Sequence, residues 1–192
     1  VKEGSPFAND SFARIGLVEC LEAARDSAHY RSKLKKHQGR AVAVGFWHNG
    51  GGTSSANIYM NSDRTVALST GSIDLSGTRI ALAMLSAEEL GISVEKIASV
   101  VSDTDAVGYA DNSAGSRTLN ATGQAVVAAT REAITEMKLR AASGWNVAPD
   151  QVTWQDGEAR NDVTGEFITF EQICRDSQRT GGPITGSQAS QV

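Results

Sequence analysis

The sequence has little of what a self-contained catalytic machine needs. It contains two cysteines and three histidines in 192 residues. Cys20 and Cys174 are far apart and neither belongs to a Cys-x-x-Cys pair, so by themselves they support no disulfide framework, zinc site or iron–sulfur cluster. Two free thiols fit a reducing compartment, and a cytoplasmic location is the expectation. His29, His37 and His48 do not cluster, and no Ser-His-Asp order, His-Glu-x-x-His pair or P-loop is visible. No stretch reaches the roughly 20 apolar residues that span a bilayer. Val1 to Asp10 has no apolar signal core. The formal net charge is −4, which speaks against a nucleic-acid partner, since that needs a concentrated basic surface. The densest basic run, Arg31 to Arg40, reads as a solvated helix end. The first residue is not Met, so the start is expected to be processed or cut from something longer.

What is present is an ordinary folding composition, with 40% apolar and 21% charged residues. The length suits one large domain or two small ones. Asp10 or Ser11 is placed to cap a helix running to about Leu34, with Ile15, Val18, Leu21 and Ala28 near helical spacing. A strand is expected over Arg40 to Trp47, then a turn at Asn49-Gly50-Gly51-Gly52. Ser54 to Met60 and Thr65 to Thr70 read as a hairpin, and Thr78 to Leu90 as a helix stopped by Gly91. Lys96 to Val101 reads as a strand, 102–116 as a loop, and 117–142 as a long Ala-rich helix. Short strands at Val152 to Trp154 and Glu166 to Ile168 precede a helix over Phe170 to Ser177, with Thr169 as N-cap. Arg179 to Val192, rich in Gly, Ser, Thr and Gln, reads as a linker, so the domain is expected over 1–178 and the tail over 179–192.

One local echo carries chemistry. Ser76-Gly77-Thr78-Arg79 opens one helix and Ala114-Gly115-Ser116-Arg117-Thr118 opens another. A helix N-terminus exposes about four unpaired N–H groups and roughly half a positive charge. Glycine admits close approach to the backbone, a hydroxyl adds a donor, and arginine adds a forked cation. Each segment is therefore either an anion cradle or an ordinary capped turn, and the residues alone leave both readings open. Asp103-Thr104-Asp105 reads as a turn rather than a metal site, because the other ligands of a calcium loop are missing. Tyr109 and Asp111 are further candidates to line a pocket, and Glu88-Glu89 read as solvated.

The blocks Thr70-Gly71-Ser72-Ile73-Asp74-Leu75-Ser76-Gly77-Thr78-Arg79, Ala87-Glu88-Glu89-Leu90-Gly91-Ile92, Asp103-Thr104-Asp105, Gly115-Ser116-Arg117-Thr118 and Ala121-Thr122-Gly123-Gln124-Ala125-Val126, in this order, resemble the large subunit of molybdenum hydroxylases. That family includes xanthine dehydrogenase, aldehyde oxidase and aerobic carbon monoxide dehydrogenase. Ile15 to Leu21 and Gly39-Arg40-Ala41 through Gly50-Gly51 match as well, so the resemblance covers nearly the whole chain. It implies an α+β fold, a mixed sheet packed with helices, forming part of a molybdopterin-binding domain. It implies molybdenum on a pterin dithiolene, as such or as a dinucleotide, and hydroxylation of a heterocycle or aldehyde with oxygen from water. It places [2Fe-2S] clusters and FAD on partner domains or subunits, beside the remainder of the large subunit. Carried over by position, the residues that contact the cofactor are Ser76, Gly77 and Thr78 in the first segment and Ser113, Ala114, Gly115, Ser116, Arg117 and Thr118 in the second. Many relatives place a Gln near the position of Ser76 that hydrogen-bonds the metal's ligands; here it is Ser. The Gly-Gly-Gly-Phe-Gly segment and the segment with the catalytic glutamate are missing from these 192 residues. The expectation is a cofactor-binding fragment without catalytic residues or metal ligands, inactive and cofactor-free alone. The rival readings are a stand-alone phosphate-ligand-binding domain and an accessory domain of the same fold that has lost the cofactor.

Overall fold

The computed structural model describes residues 6–7, 10–11, 14–45, 47, 51–101 and 103–191. The chain divides into two compact units, Val1–Phe46 and Trp47–Val192. In the first, strands β1 (Pro6–Phe7) and β2 (Asp10–Ser11) pair antiparallel, so Asp10 and Ser11 do not cap a helix. Helix α1 (Leu17–Asp26) follows Gly16, which is left-handed at φ 69. It ends at Ser27, whose hydroxyl accepts from the Tyr30 N–H and caps α2 (Ala28–Arg31). The single helix expected to reach Leu34 is thus two, because a serine hydroxyl in mid-run offers the backbone a competing partner. Residues 40–45, expected to open a strand, have no strand partner among the described residues, and Val42 and Val44 are exposed. Phe46 and the turn residues 48–50 lie outside the described residues.

The second unit is built on the expected hairpin. Strand β3 (Thr53–Met60) runs antiparallel to β4 (Val66–Thr70), with Met60 opposite Val66. Alternation sends Ser54, Ala56, Ile58 and Met60 to one face, where all are buried, and Ser55, Asn57 and Tyr59 to the other. From β4 the chain crosses through α3 (Thr78–Leu90) to β5 (Ile97–Val101), which lies parallel to β4. Gly91, at φ 70, closes α3 with its N–H on the Ala87 carbonyl. Helix α4 (Thr118–Trp145), 28 residues long, packs with α3 over the buried sheet face. Between them Ile58, Leu68, Leu82, Leu90, Val126 and Met137 are fully buried. Gly123 of α4 meets Leu85 of α3, where a methyl group would already crowd the contact.

The expected strand at 152 is β6 (Val152–Gln155), joined antiparallel to an unexpected β7 (Glu158–Asn161) and then to β8 (Phe167–Thr169). The polar run of β7 hides its role, since only Ala159 and Asn161 of that strand are buried. Helix α5 (Phe170–Thr180) begins at the expected cap: Thr169 Oγ1 accepts from the Gln172 N–H and Gln172 Oε1 accepts from the Thr169 N–H. The tail is not a linker over 184–191. It is β9 (Ile184–Gln191), antiparallel to β3 from Met60↔Ile184 to Thr53↔Gln191, in a sheet ordered β5-β4-β3-β9. Gly186 lies against the Ala129 carbonyl of α4, where any Cβ would overlap the helix backbone, and Ser190 Oγ donates to the Ala121 carbonyl at 2.5 Å. The small residues that imitate a linker are those that fit a strand beneath a helix. The architecture is α+β, as the sequence implies. Among the described residues no helix is long and apolar enough to cross a membrane.

Candidate functional site

The two echoed segments share one backbone shape. Ser76 and Gly77 both have positive φ (57 and 81), as do Gly115 and Ser116 (59 and 58). Each pair forms the centre of a tight turn: the Thr78 N–H donates to the Leu75 carbonyl at 3.3 Å, and the Arg117 N–H donates to the Ala114 carbonyl at 3.2 Å. Consecutive left-handed residues define a type I′ turn, and each turn runs directly into its helix. Holding a serine there costs on the order of 1–2 kcal/mol, and such cost concentrates at functional sites.

The turns face each other across one cavity of about 480 Å³. Its wall includes Ser76, Gly77, Thr78, Ser113, Ala114, Gly115, Ser116 and Thr118, closed by Leu75, Ala81 and Leu119. The volume falls within the roughly 300–1,000 Å³ of small-molecule pockets. Thr118 Oγ1 donates to Ser113 Oγ (2.9 Å) and Thr78 Oγ1 donates to the Leu75 carbonyl (2.7 Å), which fixes both rims. The Ser76 and Ser116 hydroxyls have no partner among the described residues. Helix α4 has no side-chain cap, and the Thr118, Leu119 and Asn120 N–H groups find no acceptor among the described residues. Ser116 is therefore not the helix cap. At α3 the corresponding place is filled, since Asp74 Oδ1 accepts from the Arg79 N–H at 3.0 Å. Among the described residues no charged side chain lines the cavity, so its chemistry there is that of neutral donors beside the start of α4.

Of the nine expected cofactor contacts, eight line this cavity and Arg117 does not. Arg117 is buried and turned into the fold. Its Nε donates to the Gly51 carbonyl (2.8 Å), one terminal nitrogen to the Asp111 (2.8 Å) and Asn112 (3.5 Å) carbonyls, and the other to the Thr53 carbonyl (2.9 Å) and Ser54 Oγ (2.7 Å). A guanidinium has five N–H donors, and five acceptors engage them, so none is left for a ligand. The expected cation is instead a clamp between the second turn and the start of β3. Below it Thr122 Oγ1 donates to Ser54 Oγ (3.0 Å) and pairs with Ser72 Oγ (2.6 Å). Ser54 and Thr122 are fully buried. Sequence reasoning missed this seam, although Ser54 occupies an inward place in the β3 alternation.

Asp111 does not open into the cavity wall either. Its Oδ1 accepts from the Tyr109 hydroxyl (2.5 Å) and its Oδ2 from the Thr53 N–H (2.9 Å). The Tyr109 hydrogen bond first, then the Thr53 N–H and the nearby Arg117 charge, hold its carboxyl below the usual range, and the same pair raises the Tyr109 phenol. A carboxyl with a lowered folded pKa adds stability above its unfolded value of about 3.9 and loses it as pH falls through the folded value. Between about pH 7 and about pH 3, Asp111→Asn is therefore expected to lose less of its urea midpoint than the parent chain. Equal losses in the two proteins would contradict the linkage. Asp103 makes the expected Asx turn, accepting from the Asp105 N–H at 3.0 Å. Among the described residues no three His, Cys, Asp or Glu side chains are grouped to hold a metal. Cys174 is buried, and burial pushes its thiol up to about 12.

An α+β layer thus holds two left-handed turns and the start of α4 around one hydroxyl-rich cavity. The chain belongs to the molybdopterin cofactor-binding domain family, whose model matches residues 17–190. Among solved structures it is similar to the Cu,Mo-CO dehydrogenase in its carbon monoxide-reduced state, with 22% identity and a TM-score of 0.65 over 72% of this chain and 18% of that one. A reconstituted CO dehydrogenase from Oligotropha carboxidovorans gives the same values. Quinoline 2-oxidoreductase from Pseudomonas putida 86 is similar at 17% identity and a TM-score of 0.60, over 73% of this chain and 19% of that one. No curated protein sequence matches the chain. The chain thus spans about a fifth of the length of these structures, and at such identities they speak for the fold alone.

Proposed function

We propose that this chain is the cofactor-binding portion of a molybdenum hydroxylase large subunit, located in the cytoplasm and working with iron–sulfur and FAD domains or subunits. The single observation that supports the reading most is that eight positions singled out by the family resemblance, in two segments about 35 residues apart, line one cavity. The donor set fits a pterin with a phosphate arm. Among the described residues, the Ser76 and Ser116 hydroxyls and the N–H groups at the start of α4 have no partner. The lining has no carboxylate to repel an anion. When bound, molybdopterin supplies the redox centre for hydroxylating a carbon of a heterocycle or aldehyde with oxygen from water. The chain's own part is narrower: Gly77 and Gly115 keep the approach open, the serines orient polar edges, and Leu75 and Leu119 exclude water at the rim. Ser76 lies near the place where many relatives carry Gln, in a segment one residue shorter than theirs, and no residue of the chain is assigned a catalytic or metal-ligating role. The rival of a stand-alone phosphate binder rests on the same α4 N-terminus and lacks the family match.

The test is elemental and pterin analysis of two purified proteins. The complete polypeptide that carries this sequence is expected to hold stoichiometric molybdenum and a pterin. The 192-residue chain alone is expected to hold neither, because it spans only about a fifth of the length of the similar structures. A complete polypeptide free of molybdenum and pterin would overturn the reading in favour of an accessory domain.

A further inference from the structure

Both turns rest on one buried line of hydrogen bonds. Arg117, the last residue of the second turn, donates to Ser54 Oγ in β3 (2.7 Å). Thr122, one helical turn along α4, donates to the same oxygen (3.0 Å). A hydroxyl carries a single hydrogen, so the 2.6 Å pair between Ser72 and Thr122 has Ser72 as donor. Ser72 leads the chain into the first turn, three residues before Leu75. Between Ser72 and α3 the loop is tied by Thr78 Oγ1 on the Leu75 carbonyl and by the Arg79 N–H on Asp74. All four members of the line are buried, and Arg117, the one charged member, is 3% exposed.

We infer that the Arg117–Ser54–Thr122–Ser72 line is the positioning device that sets the distance between the two turns, and that Thr122 is its pivotal residue. The inference rests on the cofactor reading above. Thr122 touches nothing in the cavity; it acts through Ser72 on one turn and through Ser54 and Arg117 on the other. The fold supplies its own control. Ser86 of α3 and Thr130 of α4 form a second buried hydroxyl pair at 3.0 Å, two helical turns further along and away from both turns. A purely structural role for buried hydroxyls makes the two pairs equivalent. A positioning role separates them.

The experiment compares Thr122→Val, Thr122→Ser and Thr130→Val in the complete polypeptide. It reads molybdenum and pterin content, melting temperature, and amide hydrogen exchange over 75–78 and 114–118. Valine keeps the shape of threonine and removes the hydroxyl. Thr122→Val is expected to lower molybdenum and pterin content several-fold and to speed exchange in both turns. Thr130→Val is expected to shift the melting temperature by a similar amount, with cofactor content and turn exchange unchanged. Thr122→Ser, which restores the hydroxyl, is expected to recover both readouts. Equal cofactor content and equal turn exchange in the two valine variants would overturn the positioning role. A parent protein without pterin would instead defeat the underlying cofactor reading, and the exchange comparison would still decide whether the line holds the turns.

Discussion

Replacing Arg117 by methionine is expected to destabilise the chain by about 3–5 kcal/mol, since several hydrogen bonds to a charged group, each worth about 1.5–3 kcal/mol, are lost together. For a chain of this size that corresponds to a fall of roughly 6–20 °C in melting temperature. The cause is specific. The Gly51, Thr53, Asp111 and Asn112 carbonyls and the Ser54 hydroxyl lose their shared donor, and methionine offers them nothing. The fully buried Ser54 hydroxyl left without its donor costs about 1–3 kcal/mol, and the half-buried carbonyls add less. Nearby Asp111 also loses a stabilising charge. Arg117→Lys is expected to recover only part of the loss, because an ammonium has three donors at one point where five are needed across a plane. Had Arg117 reached the ligand, as the family resemblance implies, the variant would keep its stability and lose only cofactor. Urea unfolding of the three proteins distinguishes these outcomes, and a loss in Arg117→Met of under about 1 kcal/mol, the level of an ordinary surface change, would contradict the clamp.

That residue also marks where sequence reasoning stops. The hairpin of β3 and β4, the helix over Thr78–Leu90, the long helix from the 117–118 boundary and the Thr169 cap were legible because period and cap chemistry are local. The two turns were legible as a repeated pattern of Ser, Gly and Arg, and eight of their residues reach one cavity. The direction of the Arg117 side chain was not, because it depends on carbonyls 64 and 66 positions earlier in the chain. Ser54, Ser72 and Thr122 read as neutral fillers until β3, the loop after β4 and α4 are brought together. Strand β9 imitates a linker in composition; what makes it a strand is its pairing with β3 and the fit of Gly186 against α4, both tertiary facts.

Gly115→Val carries the largest expected effect on ligand binding and tests the central claim, that the cavity between the two turns is the molybdopterin site. Gly115 has φ 59, a left-handed conformation that costs a non-glycine residue about 1–2 kcal/mol and suits a β-branched one least. The strain is moderate, and the variant of the complete polypeptide is expected to fold with a melting temperature lowered by roughly 2–8 °C. The branched side chain, however, stands on the cavity wall, where the proposed cofactor would meet the backbone. The deciding measurement is the molybdenum content per folded polypeptide of Gly115→Val against the parent protein, taken beside the melting temperature of each. The account predicts a folded variant that has lost most of its molybdenum; a folded variant with full molybdenum occupancy would contradict it, whatever happened to activity.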